Sequence, residues 1–142
     1  MAYWLFKSEP ETWSWDDQVN KGGPEEWSGV RNYQARNNMR EMKLGDLGFF
    51  YHSVKERSCV GIVKVAALAH PDTTTDDPRW ECVDIEAVMP LERAVTLDEI
   101  KAHPELEDMV LVNNSRLSVQ PVTEKQWRII CQMGGITPPE PA

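Results

Sequence analysis

Apolar residues along this chain recur with two periods. From Trp80 to Met89 they alternate, with Val83, Ile85, Ala87 and Met89 on one side, which predicts a strand with one buried face. Between Asn32 and Met42 they fall three and four apart, at Ala35, Met39 and Met42. That spacing predicts a helix capped by Asn32, with its arginines off the buried face. Residues 3–7, 47–53 and 59–69 are rich in aromatic, β-branched and small residues and read as further strands, the last paired with 80–89. Ser14 is placed to cap a short helix over 15–19, stopped by Lys21-Gly22-Gly23-Pro24. Thr96 and Thr123 each begin a capping-box pattern; Pro104 interrupts the first helix, and Gly134-Gly135 ends the second, whose inner face carries Trp127, Ile130 and Cys131. The connector 70–79 is polar, Thr-rich and bracketed by prolines, and reads as an exposed loop.

Five or so strands with short helices between them point to α+β architecture: a mostly antiparallel sheet curling into a small barrel, with a mixed α+β sandwich as the alternative. The 142 residues suffice for one core, predicted over 1–135, with 136–142 as a flexible tail.

Composition narrows the class. An apolar share of 41% and a charged share of 27% suit a water-soluble globular chain, and no apolar run approaches the roughly 20 residues of a membrane span. The start, MAYWLFKSEP, lacks the basic and apolar regions of a signal peptide, so a cytoplasmic location and no membrane partner are expected. Cys59, Cys82 and Cys131 are odd in number and set among apolar residues, as core thiols would be. The net charge of −8 argues against strong sequence-blind binding to nucleic acid. Residues 31–64 depart from it, with seven basic residues (Arg31, Arg36, Arg40, Lys43, Lys55, Arg57, Lys64) against three acidic ones (Glu41, Asp46, Glu56). Such an island predicts one electropositive face suited to a few phosphates.

Familiar catalytic and cofactor patterns are missing. Neither GxGxxG nor GxxxxGK[ST] occurs, so no nucleotide cofactor is expected. His52 and Ser53 are neighbours on one strand and point to opposite faces, which excludes a Ser-His pair between them. With three histidines and no HxH or HExxH, the sequence predicts no zinc site. Asp72, Asp76 and Asp77 lack the glycine and terminal glutamate of a calcium loop and read as solvated.

The remaining chemistry gathers in residues 27–40, WSGVRNYQARNNMR, where an indole, a glycine, arginines and amides surround a helix start. An arginine fork suits phosphate or a base edge, an amide suits a Watson–Crick edge, and an aromatic ring stacks on a base. Trp27, beside Gly29 in a loop, is positioned to present its ring. Tyr51 offers a second wall.

These residues, with the WLFKSEP start, FFYHS at 49–53 and SVQPVT at 118–123, resemble the EVE domain family over almost the whole chain. The resemblance implies a PUA-like fold and a non-catalytic domain that binds DNA or RNA through one modified base, a cytosine derivative or a modified RNA base, flipped into an aromatic and polar pocket. Matching the family's blocks are Ser8 and Glu9; Trp27, Gly29, Val30, Arg31 and Asn32; Tyr51, His52 and Ser53; and Ser115, Arg116 and Ser118. In that setting Trp27 is expected to stack on the base, Ser8 and Asn32 to bond its polar edge, Glu9 to accept an exocyclic amine, and Arg31 and Arg36 to hold phosphates. Two other readings use the same pocket: an enzyme acting on a nucleotide with Glu9 or His52 as acid or base, and a sensor of a free nucleoside.

Overall fold

The aromatic start of the chain forms strand β1, Tyr3–Ser8, and its successor is the short helix α1, Trp15–Asn20. Ser14 closes α1 with a full capping box: its hydroxyl accepts from the Asp17 amide, and the Asp17 carboxylate accepts from the Ser14 amide. The computed structural model describes residues 2–140. After α1 come the two-residue strand β2, Glu25–Glu26, and helix α2, Tyr33–Glu41, capped as expected by the Asn32 side chain accepting from the Ala35 amide at 2.9 Å. Strand β3, Leu47–His52, leads into the long strands β4, Ser58–Pro71, and β5, Glu81–Thr96. Helix α3, Leu97–Ala102, a 3-10 turn, Pro104–Leu106, helix α4, Val110–Asn113, strand β6, Val119–Val122, and helix α5, Glu124–Met133, complete the chain.

All six strands join one mixed sheet in the order β2-β5-β4-β3-β1-β6. Only β1 and β3 run parallel, from Tyr3 opposite Leu47 to Ser8 opposite His52, because residues 9–46 carry the chain back across the sheet before β3 begins. The α+β class stands. The expected barrel is an open sheet, since among the described residues no pairing joins its ends, β2 and β6.

β1 and β3 sit at the centre of two cores. On one face Tyr3, Leu5, Leu47, Phe49 and Tyr51 meet Ile100, Leu106, Trp127 and Ile130; on the other Trp4, Phe6 and Phe50 meet Trp15, Trp27, Ala35, Met39 and Met42. Burial on both sides explains why these strands read as near-continuous apolar runs. Trp15 closes over Gly61, where a Cβ would stand 2.4 Å from its ring, so only glycine admits this packing.

Three local expectations change. β5 continues past Met89 through Pro90 to Thr96; the register shifts between Cys59 and Gly61, opposite this stretch, accommodate a residue that donates no ladder bond. β4 extends through His70 and Pro71, which the sequence assigned to a loop. Asp72 is buried, with 3% exposure, instead of solvated, because Gly29 and Arg31, in the segment after β2, donate to its carboxylate. In the expected loose tail, the Trp127 indole donates to the Pro139 carbonyl at 3.1 Å and Arg128 lies 3.6 Å from Glu140. Pro141 and Ala142 lie outside the described residues. No helix among the described residues is long and apolar enough to cross a membrane.

Candidate functional site

Where β1 ends and β2 begins, the chain leaves an open cavity of about 530 Å³. Its walls come from four segments. The end of β1 gives Lys7, Ser8 and Glu9, the turn into α1 gives Thr12 and Trp13, the stretch from β2 toward α2 gives residues 25–31, and Ser118 precedes β6. The parallel pairing of β1 with β3 fixes the first wall, and the Trp27 amide, donating to the Val83 carbonyl at 2.9 Å, fixes the third.

Trp27 is buried, with 8% exposure. Phe6 and Phe50 meet it edge-on at 5.6 and 5.7 Å, so the ring is wedged in one orientation where it lines the cavity. Just beyond it the backbone turns at Gly29, whose φ of +81° suits glycine. Asp72 holds this turn. One carboxylate oxygen accepts from the Gly29 amide at 2.9 Å and from Arg31 Nη1 at 3.1 Å, while the other accepts from the Thr74 amide and hydroxyl. Burial alone would push the Asp72 carboxyl up; the bonds from Thr74, Gly29 and Arg31 outweigh it and hold the group down at about 2. Arg31 also lies over the Trp80 ring at 5.4 Å, and Trp80 stacks on half-exposed Tyr33 with centroids 4.9 Å apart.

On the opposite wall, Ser8 donates its hydroxyl to the Trp13 carbonyl, which folds the turn after β1 back on itself. Lys7 reaches across to the Ser115 carbonyl at 2.6 Å, and its amide donates to the Ser118 carbonyl at 2.8 Å. Burial lowers the Lys7 ammonium below the ordinary lysine range. Glu26 accepts from the Thr73 amide and hydroxyl and from the Cys82 thiol; its carboxyl, which burial alone would raise, is held low by these bonds.

The structure therefore brings together Ser8, Glu9, Trp27, Gly29, Val30, Arg31 and Ser118 from three distant sequence blocks. It sets others apart. Tyr51, Ser53 and Ser115 line a neighbouring groove that shares Lys7 with the cavity, and Tyr51 is buried in the other core, its phenol pushed up to about 12 chiefly by burial. His52 lies below the wall, its Nε2 accepting from the Trp15 amide at 3.0 Å. Asn32 uses its side-chain oxygen as the α2 cap, Arg116 is exposed, and Arg36 donates to the Arg79 carbonyl and Asn37 beside the Tyr33 ring.

Sequence reasoning missed Lys7, Thr12, Trp13, Ser28 and the two β2 glutamates as lining residues. Lys7 was within reach of it, as the one charged residue in an apolar strand next to Ser8. The basic island is also less basic than its sequence suggested: Arg31, Arg40, Lys55 and Lys64 each meet a carboxylate, from Asp72, Glu81, Glu11 and Glu86. Arg36, Lys43 and Arg57 have none within ion-pair distance among the described residues.

Fold and pocket together define a PUA-like α+β domain with an open, mixed aromatic and polar cavity between the end of β1 and residues 25–31. The family model of the EVE domain matches residues 2–133, and the chain belongs to that family. It is similar to a protein from Agrobacterium tumefaciens, solved by crystallography, at 56% identity with a TM-score of 0.97, covering 100% of this chain and 99% of that one. Thymocyte nuclear protein 1 of Gallus gallus is 38% identical over 93% of this chain and 68% of its own. The human form, THYN1, solved in complex with DNA containing 5-methylcytosine, has a TM-score of 0.90 at 34% identity over 97% of this chain and 100% of that one. In fold alone, the chain is similar to the YTH domain of Zygosaccharomyces rouxii MRB1, solved with N6-methyladenosine RNA (TM-score 0.56, 18% identity, 94% and 86% covered).

Proposed function

We propose that this chain is a non-catalytic reader that binds nucleic acid by holding one modified base in the cavity between the end of β1 and residues 25–31. The observation that carries the reading is the likeness to human THYN1 bound to 5-methylcytosine DNA, which extends over nearly the whole chain. The cavity is consistent with it: about 530 Å³ lies within the roughly 300–1,000 Å³ of small-ligand pockets, and the lining mixes an indole with a few polar groups.

In this reading the base stacks against Trp27, Ser8 and Glu9 face its polar edge, and the sugar-phosphate chain leaves past Arg31 and Arg36. Trp27 is suited to its role because Phe6 and Phe50 hold the ring without help from a ligand, so little ordering is required on binding. Glu9 is exposed and lines the cavity, where its carboxylate oxygens are open to an exocyclic amine. Extrusion of a base costs a few kcal/mol, which stacking and two or three hydrogen bonds offset, so affinity for short oligonucleotides is modest.

Ser8 argues for binding over catalysis. Its hydroxyl donates to a backbone carbonyl, not to a base that would activate it, and His52 is occupied as an acceptor outside the cavity. The test is fluorescence anisotropy with oligonucleotides that differ in a single base, 5-methylcytosine, N6-methyladenine or the plain base, in DNA and RNA, with free nucleosides as competitors. Preference for one modified oligonucleotide, poorly competed by its nucleoside, supports the reader. Equal binding of all oligonucleotides with strong competition by a free nucleoside overturns it in favour of a sensor.

A further inference from the structure

Next to the cavity, on the side away from Ser8, three strands place a second group of chemically active side chains together. Glu26 on β2 pairs with Asp84 on β5, and His70 on β4 pairs with Cys82 on β5. Cys82 and Asp84 are two apart on one strand and so point to the same face. Register alone thus gathers a carboxylate, an imidazole and a thiol; one ligating atom from each of Glu26, His70 and Cys82 lies within 4.8 Å of the other two. Cys82 is buried, and Glu26 and His70 are half-buried.

His70 sits between two acceptors. Its Nδ1 lies 2.9 Å from the Pro71 carbonyl oxygen and its Nε2 lies 2.8 Å from Asp84 Oδ1. Without a metal the protonated ring donates to both, and Asp84 favours that charged form. A divalent cation would replace one of these ring protons in the same acidic setting. The surroundings are acidic: Glu26, Asp84 and Asp72 all lie close, and the Cys82 thiol donates toward Glu26 at 3.4 Å. No lysine or arginine forms an ion pair with Glu26 or Asp84 among the described residues.

We propose that Glu26, His70 and Cys82 form a binding site for a divalent metal of Zn²⁺ type, with Asp84 orienting the imidazole. The donor set is that of zinc: one sulfur, one imidazole nitrogen and one carboxylate oxygen, with a carboxylate behind the histidine as metal-bound histidines commonly have. A hard cation such as Mg²⁺ or Ca²⁺ would take oxygen ligands and leave the thiol aside. The site is structural. Strand β2 has two residues and lies at the sheet edge, and it leads directly into Trp27 and the cavity wall. A metal bound to Glu26 from β2, His70 from β4 and Cys82 from β5 would clamp that short strand to its neighbours and hold the wall in place. Ligands 44 and 12 residues apart on separate strands match no metal-binding spacing, which is why the pattern of residues predicted no zinc site.

The proposal is independent of what the cavity binds, and its test uses no nucleic acid. The full chain, freed of metal with a chelator, is titrated with Co²⁺ and followed by absorption. One equivalent should produce a sulfur-to-cobalt charge-transfer band with tetrahedral d–d bands, and Zn²⁺ should abolish both and raise the melting temperature. Cys82→Ser should remove the charge-transfer band. Cys59 and Cys131 are fully buried elsewhere in the core and cannot supply it. Asp84→Asn should weaken Co²⁺ binding about 10- to 100-fold, the usual effect of losing such a partner. If Cys82→Ser fails to fold, His70→Asn, at a half-exposed position, must abolish the tetrahedral bands instead. Absence of the charge-transfer band in the native chain, or its survival in either folded variant, overturns the proposal.

Discussion

Arg31 Nη1 stands 3.1 Å from Asp72 Oδ2, the same oxygen that accepts from the Gly29 amide at 2.9 Å. One buried carboxylate thereby sets both the turn after Trp27 and the direction of the arginine at the cavity rim. It also means that Arg31 meets a ligand already neutralised.

Asp72→Asn is expected to loosen this wall. Every bond to Asp72 comes from a donor, so an amide NH₂ in its place faces donors and leaves at least one of them unsatisfied. The expected loss is about 1–3 kcal/mol of stability in urea unfolding. Binding of the preferred oligonucleotide should weaken with it, since the Gly29 turn is the part released.

Arg36 and Arg40 should separate in salt dependence. Arg40 is paired with Glu81, whereas Arg36 has no carboxylate partner among the described residues. Arg36→Ala should lower the slope of log affinity against log salt by about 1, and Arg40→Ala should leave it almost unchanged. Equal effects of the two substitutions would show that the internal ion pairs do not decide which arginine reaches phosphate.

His52 gives the fold a pH dependence with a defined sign. Burial lowers its pKa from the ordinary 6.5, and this outweighs the raising effect of Asp16 and Glu56, while Nε2 accepts from the Trp15 amide and so must stay unprotonated. Because the folded pKa lies below the unfolded one, the contribution is complete above 6.5 and is lost as pH falls through the folded value. The Trp15 bond itself is worth about 1 kcal/mol. Urea midpoints should fall on acidification below 6.5, and His52→Gln, which keeps an acceptor without a proton equilibrium, should remove that part of the fall.

Capping residues and helix faces were legible because they are local. Ser14, Asn32, Thr96 and Thr123 cap the helices they were expected to cap, and Ala35, Met39 and Met42 are buried on one side of α2. β1 and β3 were legible from their apolar runs, but their parallel pairing was not, since it depends on how residues 9–46 cross the sheet. The same limit applies to the site. Ser8, Glu9 and residues 27–31 meet because that crossover puts them there, while FYHS, continuous in sequence, is divided by the strand's alternation between a groove and the underside of the wall. Asp72 was misread as solvated because a loop aspartate among threonines carries no local sign of a partner 43 residues away.

The central claim, that this cavity reads a modified base against Trp27, is tested most directly by one ratio. Affinity is measured for two oligonucleotides identical except for the preferred modified base, using the native chain and Trp27→Leu, which keeps an apolar side chain against Phe6 and Phe50. Stacking on an aromatic ring contributes about 1–3 kcal/mol. The native chain should therefore prefer the modified oligonucleotide by roughly tenfold or more, and a natively folded Trp27→Leu should bring the ratio close to one. A native ratio of one, or a ratio that survives Trp27→Leu with its fold intact by circular dichroism, would contradict the account.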